Sequence, residues 1–378
     1  MNVAVLFFLI VSMGVAVILY KKQLHIWILS YLKSKPFQPN TEEPIHILFC
    51  LADHFEPYWN KVDDETARRR VDAWIAGYPK MAAKFRDADG KPPQHTFFYP
   101  QEEYRAEHLD NLAALCQKGF GEVEIHLHHD QDTSEGFREK ITTFSQTLRK
   151  RHGLLPSAGD QTIRYAFIHG NWALDNSRKD GRWCGVNNEL DILRETGCYV
   201  DMTLPSAPSD TQTTKINSIY YAKDDPLKPK SHNDGEDVRV GGSASGDLLM
   251  IQGPLALNWR RRSSGIFPKI ENGEITWDNL PTPDRIDLWV QQAIHVIGKP
   301  NWVFVKVHTH GTQEKNEALF LTGSIEVMHR HLLSQYNDGK KFSLHYVTAR
   351  EMYNIVKAAE AGEKGNPGEY RDYILTLP

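Results

Sequence analysis

Histidine and carboxylate side chains gather in four short segments of the sequence, and both types bind divalent metal ions. The segments are LADHFEP (Asp53, His54, Glu56), EIHLHHD (His126, His128, His129, Asp130), FIHGNWALD (His169, Asn171, Trp172) and KVHTHG (His308, His310). The chain has 17 histidines, about twice the ordinary usage. A hydrolytic metal site needs about three protein ligands and an open position for water. These segments therefore predict a metal site.

Two of the candidate ligands, His126 and Asp130, are four residues apart where the chain leaves a strand. The two side chains converge on one ion if that turn is helical. His54 or Asp53, from a neighbouring strand, would complete the ligand set, and Glu56 is a further alternative. The sequence thus predicts one tightly bound divalent ion, and Zn²⁺ is the metal we expect.

Strands that alternate with amphipathic helices are expected to position these segments. Hydrophobic runs such as IHILFCLAD and NWVFVKVHTHG predict buried strands, and the stripe of Val71, Trp74 and Tyr78 predicts a helix. This alternation is typical of an α/β domain with parallel strands, in which ligands bind at the carboxyl ends of the strands. Residues 199–258 are rich in Pro, Ser, Thr and Asp, and we interpret them as an elaborated loop region over the site.

The order of elements is similar to that of the polysaccharide deacetylase family, the NodB-like domain of carbohydrate esterases. The segment HTFFYPQEEYRAEHLDNLAALCQKGFGEVEIHLHHDQD resembles the family's run from its second strand to a motif of two histidines four residues apart. The first of these falls on His126, and Asp130 occupies the second position. The family's opening Asp-Asp pair falls on Asp53 and His54, and its late Leu-His motif falls on His308. The resemblance covers about residues 45–357 and implies a distorted (β/α) barrel of the NodB-like type.

The resemblance also implies a reaction, the removal of an N-acyl group from an amino sugar in a glycan or glycolipid. In the family the metal polarises the amide carbonyl and activates a water molecule. The resemblance gives Asp53 the role of catalytic base and His308 that of general acid, with the metal bound by His54 or Asp53, His126 and Asp130. The residues expected to bind the sugar are Trp172, Asn171, His169 and His310.

Composition excludes one class of partner. The formal charge of −4 argues against a general nucleic-acid binder, because such proteins need an excess of Lys and Arg. Four widely spaced cysteines form no C-x-x-C pair, so the sequence predicts neither a cysteine-built zinc site nor a disulfide framework.

The N-terminal segment predicts a membrane anchor. Val3 to Tyr20 are eighteen residues without a charge, near the lower limit for a transmembrane helix, and a cleaved signal peptide is the alternative. Lysines follow the segment, which favours an inner-membrane protein with its catalytic domain on the cytoplasmic face, close to a lipid-linked substrate. An enzyme on the outer face is the alternative. The predicted organisation is an anchor at 1–22, an interfacial segment and linker at 23–44, the deacetylase domain at 45–358 and a tail at 359–378.

Two other functions remain open from the sequence. A glycoside hydrolase needs two carboxylates that flank the scissile bond, and Asp53 and Glu56 with Asp130 or Asp201 could supply them. The histidine clusters would then have no purpose. A catalytically silent sugar-binding module is the second alternative, in which the departures from the family motifs are losses. Metal content and turnover of acylated sugars distinguish the three.

Overall fold

The computed structural model describes residues 13–14, 17, 19–34, 37–40, 42–157, 162–263, 265 and 267–378. They form an α/β fold in which strands and helices alternate as far as β5. The strands are β1 (Ile45–His54), β2 (His95–Pro100), β3 (Gly121–Leu127), β4 (Tyr165–His169), β5 (Cys198–Asp201), β6 (Ile219–Ala222), β7 (Gly235–Asp237), β8 (Leu248–Ile251), β9 (Ala256–Ser263), β10 (Phe267–Glu271), β11 (Trp302–Thr309) and β12 (Phe342–Tyr346). The α-helices are α1 (Leu24–Lys33), α2 (Asp64–Ala82), α3 (Ala106–Gln117), α4 (Ser134–His152), α5 (Glu189–Glu195), α6 (Pro283–Gln291), α7 (Glu314–Leu321), α8 (Glu326–Tyr336) and α9 (Ala349–Ala361).

Ten of the described strands form one mixed sheet, in the order β11-β1-β2-β3-β4-β5-β8-β6-β7, with β12 beside β1. The strand β1 pairs with β11 along one edge, and its other edge is shared by β12 and β2. All pairs from β11 to β8 are parallel, whereas β6 runs antiparallel to both β8 and β7. The strands β9 and β10 form a separate hairpin.

The predicted distorted (β/α) barrel of the NodB-like type is wrong, because the described strands form a ten-stranded mixed sheet. A barrel requires regular pairing between its first and last strands. Among the described residues, the two end strands of the sheet, β7 and β11, do not pair with each other. An irregular segment lies between them. A single bridge joins Arg239 to Ile297 of this segment, and the Phe304 N–H of β11 donates to the Ile294 carbonyl. After β5 the chain forms β6, which runs antiparallel to β7 and β8, so the regular alternation of strand and helix ends there.

The predicted anchor Val3–Tyr20 lies mostly outside the described residues. No helix among the residues that the structure describes is long and apolar enough to cross a membrane. The first helix seen in full, α1, buries Trp27 against Ala207 and Leu255. The predicted membrane location depended on that N-terminal segment and stays untested.

The segment 199–258, predicted as an elaborated loop region, contributes three strands to the sheet. Short apolar runs, IYYA in β6 and LLMI in β8, pair with each other within the Pro- and Ser-rich stretch. Because each run has only four residues and is apolar throughout, it shows no alternation by which periodicity could identify a strand. The chain therefore extends the sheet here as well as covering it.

Strand alternation gives the sheet two different faces. On β1, Phe49 and Leu51 pack with apolar residues of helices α2 to α8, and we call this side the seven-helix face. Cys50 and Ala52 pack with apolar residues of α9, and we call that side the α9 face. Because successive side chains of a strand point to opposite faces, a shift of one residue along a strand moves a side chain from one environment to the other.

Candidate metal centre

His54, His126 and His308 lie at the carboxyl ends of β1, β3 and β11, on the same side of the sheet. Strand pairing through β2 puts His54 level with Glu124, and His126 is two residues further along β3, so both side chains lie on the α9 face with Ala52. The register of β1 and β11 pairs Ala52 with His308, which places His308 beside the end of β1. The sheet thus brings together three histidines from separate parts of the sequence.

His54, Glu56 and His126 form a group that can hold a metal ion. One possible ligand atom from each lies within 4.8 Å of the other two. His126 Nε2 is 3.2 Å from Glu56 Oε1, and the centroids of the His54 and His126 rings are 4.9 Å apart. All three residues are buried. Two imidazoles and one carboxylate are a ligand set of catalytic zinc sites, which keep a further position for water or substrate.

A backbone hydrogen bond fixes the orientation of His126. Its Nδ1 is 2.7 Å from the carbonyl oxygen of Ile168 on β4. A carbonyl oxygen only accepts, so Nδ1 carries a proton, and Nε2 is the nitrogen that faces Glu56 and the position for an ion. This is the usual arrangement around a metal-binding histidine, where the second nitrogen donates to a carbonyl or carboxylate.

His128 and Glu102 form the adjoining wall. His128 Nδ1 is 2.6 Å from Glu102 Oε1, and its Nε2 is 3.5 Å from Glu56 Oε1. Burial lowers the pKa of His128, but the hydrogen bond to Glu102 and the charge of Glu56 outweigh it, so the pKa lies above its ordinary value. The His128 side chain is 31% exposed, so the centre is open toward solvent on this side.

Further rings surround His54. Its centroid lies 4.7 Å from that of His310, 6.0 Å from that of His308 and 6.4 Å from that of Trp172. His310 and Trp172 are half-buried, whereas His308 is 3% exposed and its Nε2 has no hydrogen-bond partner among the residues that the structure describes. A buried ring nitrogen without a partner beside a cluster of metal ligands is suited to a ligand, a water molecule or substrate.

The surroundings of Glu56 and His54 favour the protonation states in which these two side chains bind a metal ion. Burial raises the pKa of Glu56, but the hydrogen bond with His126 and the charges of the surrounding histidines outweigh burial and lower the pKa to about 2. Burial and the neighbouring histidines, His310 first among them, hold the pKa of His54 well below its ordinary value. An ionised Glu56 carboxylate and a neutral His54 imidazole are the states that coordinate a divalent ion.

Asp53, predicted as base or ligand, points to the seven-helix face. Its Oδ1 accepts from the Gly311 N–H at 2.6 Å, and its Oδ2 lies 2.8 Å from His95 Nε2. A Cβ at Gly311 would come within 2.2 Å of Asp53 Oδ2, so only glycine allows this contact. The carboxylate is fully buried and holds the turn after β11, next to His310. Glu56, an alternative from the sequence, takes its place among the possible ligands.

Asp130 also lies apart from the group. The chain after β3 does not form the helical turn on which the predicted convergence with His126 depended, because α4 begins only at Ser134. Asp130 is exposed, and its Oδ1 accepts from the Trp183 N–H at 2.6 Å.

Two of the predicted sugar-binding residues lie in a strained turn after β4. Asn171 and Trp172 are half-buried and have positive φ angles of 54° and 55°. Such angles cost energy in residues other than glycine and cluster at functional sites. His169 lies one residue before this turn, at the end of β4. Its side chain points to the seven-helix face, where its Nε2 is 2.7 Å from that of His129. The structure therefore separates His169 from the sugar-binding group.

Glu274 is a residue that the sequence did not indicate. It forms a backbone bridge with His308 and is half-buried. Burial raises the pKa of Glu274, and the charge of His310 acts in the opposite direction. Glu274 follows the β9–β10 hairpin and does not end a strand of the main sheet, so no strand-end motif could identify it.

Comparison with known proteins gives no assignment. Neither a protein-family model nor a curated protein sequence matches the chain. The chemistry of the site therefore stands on its geometry, which provides buried histidine and glutamate groups that can hold a metal ion beside partly exposed histidine and tryptophan rings.

Proposed function

We propose that this protein is a metal-dependent hydrolase that removes an N-acyl group from an amino sugar. The observation that carries the proposal is the group of His54, Glu56 and His126, with its open side toward His128. A ligand set of two imidazoles and one carboxylate favours Zn²⁺ and leaves a position where water is activated. The resemblance to polysaccharide deacetylases supports the choice of an N-acylated sugar.

In the proposed mechanism His54, Glu56 and His126 would hold the ion, which would supply Lewis acidity to the amide carbonyl and lower the pKa of a water molecule. Burial, with the charge of Lys306 next, holds the pKa of His308 well below its ordinary value, so its imidazole is neutral. A neutral His308 accepts the proton of the water and then donates it to the leaving amine. This role replaces the division of labour between Asp53 and His308 that the family resemblance implies.

Trp172 and His310 are the proposed contacts to the sugar. An aromatic ring offers a flat apolar surface to the face of a sugar ring, and the Trp172 Nε1–H is buried without a partner among the described residues. His310 lies against both Trp172 and His54, with centroids 6.4 Å and 4.7 Å away. A substrate held between these rings presents its acyl group to the metal. The proposed substrates are glycans or glycolipids that contain an amino sugar.

The glycoside hydrolase alternative receives less support. Its two carboxylates must include one that stays protonated near neutral pH. Glu56 does not meet this condition, because its pKa is about 2. Burial raises the pKa of Asp201 to about 6, but its two carboxylate oxygens accept from the N–H and the hydroxyl of Thr203 at 2.9 Å and 2.8 Å. The silent binding module differs from the proposed enzyme only in turnover.

The test is a screen of the full chain, loaded with Zn²⁺, against acetylated and formylated amino sugars, free, polymeric and lipid-linked. The expected product is a primary amine together with acetate or formate, lost on chelation and restored by Zn²⁺. Release of a reducing end without amine would support the glycoside hydrolase. Bound metal and bound sugar without any product would support the binding module.

A further inference from the structure

A second group of possible metal ligands lies on the seven-helix face. It consists of His129, His169, Cys184 and Glu189, which come from the chain after β3, the end of β4, the loop of residues 170–188 and the start of α5. One possible ligand atom from each lies within 4.8 Å of the other three, and all four residues are buried. The group shares no residue with the centre at His54, Glu56 and His126.

The distances within the group are those of a compact coordination shell. His129 Nε2 lies 2.7 Å from His169 Nε2 and 3.1 Å from Glu189 Oε1, and His169 Nε2 lies 3.4 Å from the same oxygen. Cys184 Sγ is 3.4 Å from Glu189 Oε2. Ligand atoms on a zinc tetrahedron are about 3.3–3.7 Å apart for bonds of ordinary length. Small side-chain movements would bring all four to these separations.

The outer nitrogens of both imidazoles are held by hydrogen bonds. His169 Nδ1 is 2.6 Å from the Gly170 carbonyl oxygen, so it carries a proton. His129 Nδ1 is 3.1 Å from an Asp132 carboxylate oxygen, which likewise only accepts from it. The two Nε2 atoms therefore direct lone pairs at the same point. Either a cation lies between them, or one ring takes up an additional proton.

The environment of Cys184 is suited to a thiolate ligand. Its Sγ accepts from the N–H groups of Asn176 at 3.3 Å and Val186 at 3.4 Å. A thiolate is the form of cysteine that binds metal, and at this fully buried position its charge needs a cation beside it. The next residue, Gly185, has φ 106°, and a Cβ there would come within 2.8 Å of the Asp132 nitrogen. The backbone is thus built to bring Cys184 close to the chain after β3.

A divalent ion also balances the charges of this buried group. Two neutral imidazoles, one thiolate and one carboxylate carry a total charge of about −2 when deprotonated, which one divalent cation cancels. A neutral assembly avoids the cost of burying an unpaired charge. Mixed nitrogen and sulfur ligands with four protein donors are typical of structural zinc sites.

We propose that His129, His169, Cys184 and Glu189 form a closed structural site for Zn²⁺, separate from the hydrolytic centre. The ion joins the loop 170–188 to the ends of β3 and β4 and to α5. This loop carries Trp172 and has positive φ angles at Asn171, Asp175 and Trp183, which cost energy unless the surroundings hold them. The metal therefore fixes the loop that presents Trp172 to the hydrolytic centre.

The alternative occupant is a proton, with His129 as an imidazolium between His169 and Glu189. The number of metal equivalents bound per chain distinguishes a metal ion from a proton at this site. The purified full chain is expected to bind two equivalents of Zn²⁺, and His126→Ala is expected to keep one of them. With Co²⁺ in place of Zn²⁺, the second site adds a near-ultraviolet thiolate-to-cobalt absorption, because it alone has a cysteine ligand.

Cys184→Ser is expected to lose this absorption and one equivalent of metal, whereas the matched control Cys116→Ser, a free cysteine outside both groups, keeps both. If Cys184→Ser does not fold, the spectrum of Co²⁺-loaded His126→Ala decides, since it retains the second site alone. A wild-type protein that binds one equivalent, lost in His126→Ala, would overturn the proposal. So would a fully Co²⁺-loaded protein without the thiolate absorption. Neither result depends on enzymatic activity.

Discussion

Asp53→Asn distinguishes a carboxylate that holds a turn from one that takes a proton from water. The family resemblance makes Asp53 the catalytic base. The structure instead places both of its oxygens in buried hydrogen bonds, to the Gly311 N–H and to His95 Nε2. Asparagine has nearly the same shape and keeps an oxygen for Gly311, but it has no charge.

The expected loss of stability follows from those two bonds. A hydrogen bond to a charged group contributes about 1.5–3 kcal/mol, against about 0.5–1.5 kcal/mol for a neutral one. Converting both bonds of Asp53 to neutral ones should therefore lower the free energy of unfolding by about 2 kcal/mol. A residue that only holds the turn should also leave the shape of the pH profile of kcat/KM unchanged and should not cost the ~10²–10⁴-fold of a lost general base.

The assay is urea unfolding, read from the midpoint at unchanged slope, together with amine release across pH. Asp130→Asn is the matched control, because Asp130 is exposed and accepts one backbone N–H. It should change stability by about 0.5 kcal/mol or less and leave metal content unaltered. An Asp53→Asn protein of wild-type stability that loses ~10³-fold in kcat would refute the reasoning and restore Asp53 as the base.

Three further predictions concern the hydrolytic centre. His308→Ala should retain all bound metal and lose ~10²–10⁴-fold in kcat on an amide substrate, and an unchanged kcat would move proton transfer to Glu274 or His310. Trp172→Ala should raise KM by about tenfold through the loss of roughly 1.4 kcal/mol of ring contact, with kcat nearly unchanged; a drop in kcat alone would contradict a binding role. In metal-free protein, Glu56 has a folded pKa of about 2 against an ordinary 4.5, so the stability it contributes is present above pH 4.5 and is lost as the pH falls toward 2. Between pH 5 and about pH 3, wild type should lose about 2 kcal/mol more than Glu56→Gln, measured by urea unfolding, and equal losses would show that the pKa of Glu56 is not depressed.

The sequence indicated at which strand ends the possible metal ligands lie, because apolar runs that end in His or Asp are visible without long-range information. It placed His54 and His126 near one another, and the structure brings them together. It could not decide between Asp53 and Glu56. That choice depends on which residue of β1 faces α9, and every residue of β1 is buried, so polarity gives no alternation from which to tell the faces apart.

The remaining differences have similar causes. Asp130 required a helical turn after β3, and local spacing alone does not determine whether a loop is helical. His169 belongs to the opposite face because it pairs with Leu127, which packs on the seven-helix face. No sequence pattern indicated Cys184 as a possible ligand, because its neighbours His129 and Glu189 come from other segments and approach it only through the fold. The prediction of a barrel was wrong for a similar reason, because closure of a barrel depends on the pairing of strands that are far apart in the chain.

The central claim is that His54, Glu56 and His126 hold the ion that hydrolyses the amide. Its most direct test is to measure the metal content and amine release of His126→Ala beside the control His331→Ala, whose ring is bound to Asp287 outside the centre. The account predicts that His126→Ala folds, loses one equivalent of metal and loses turnover, whereas His331→Ala keeps both. Full metal content together with wild-type turnover in His126→Ala would contradict it.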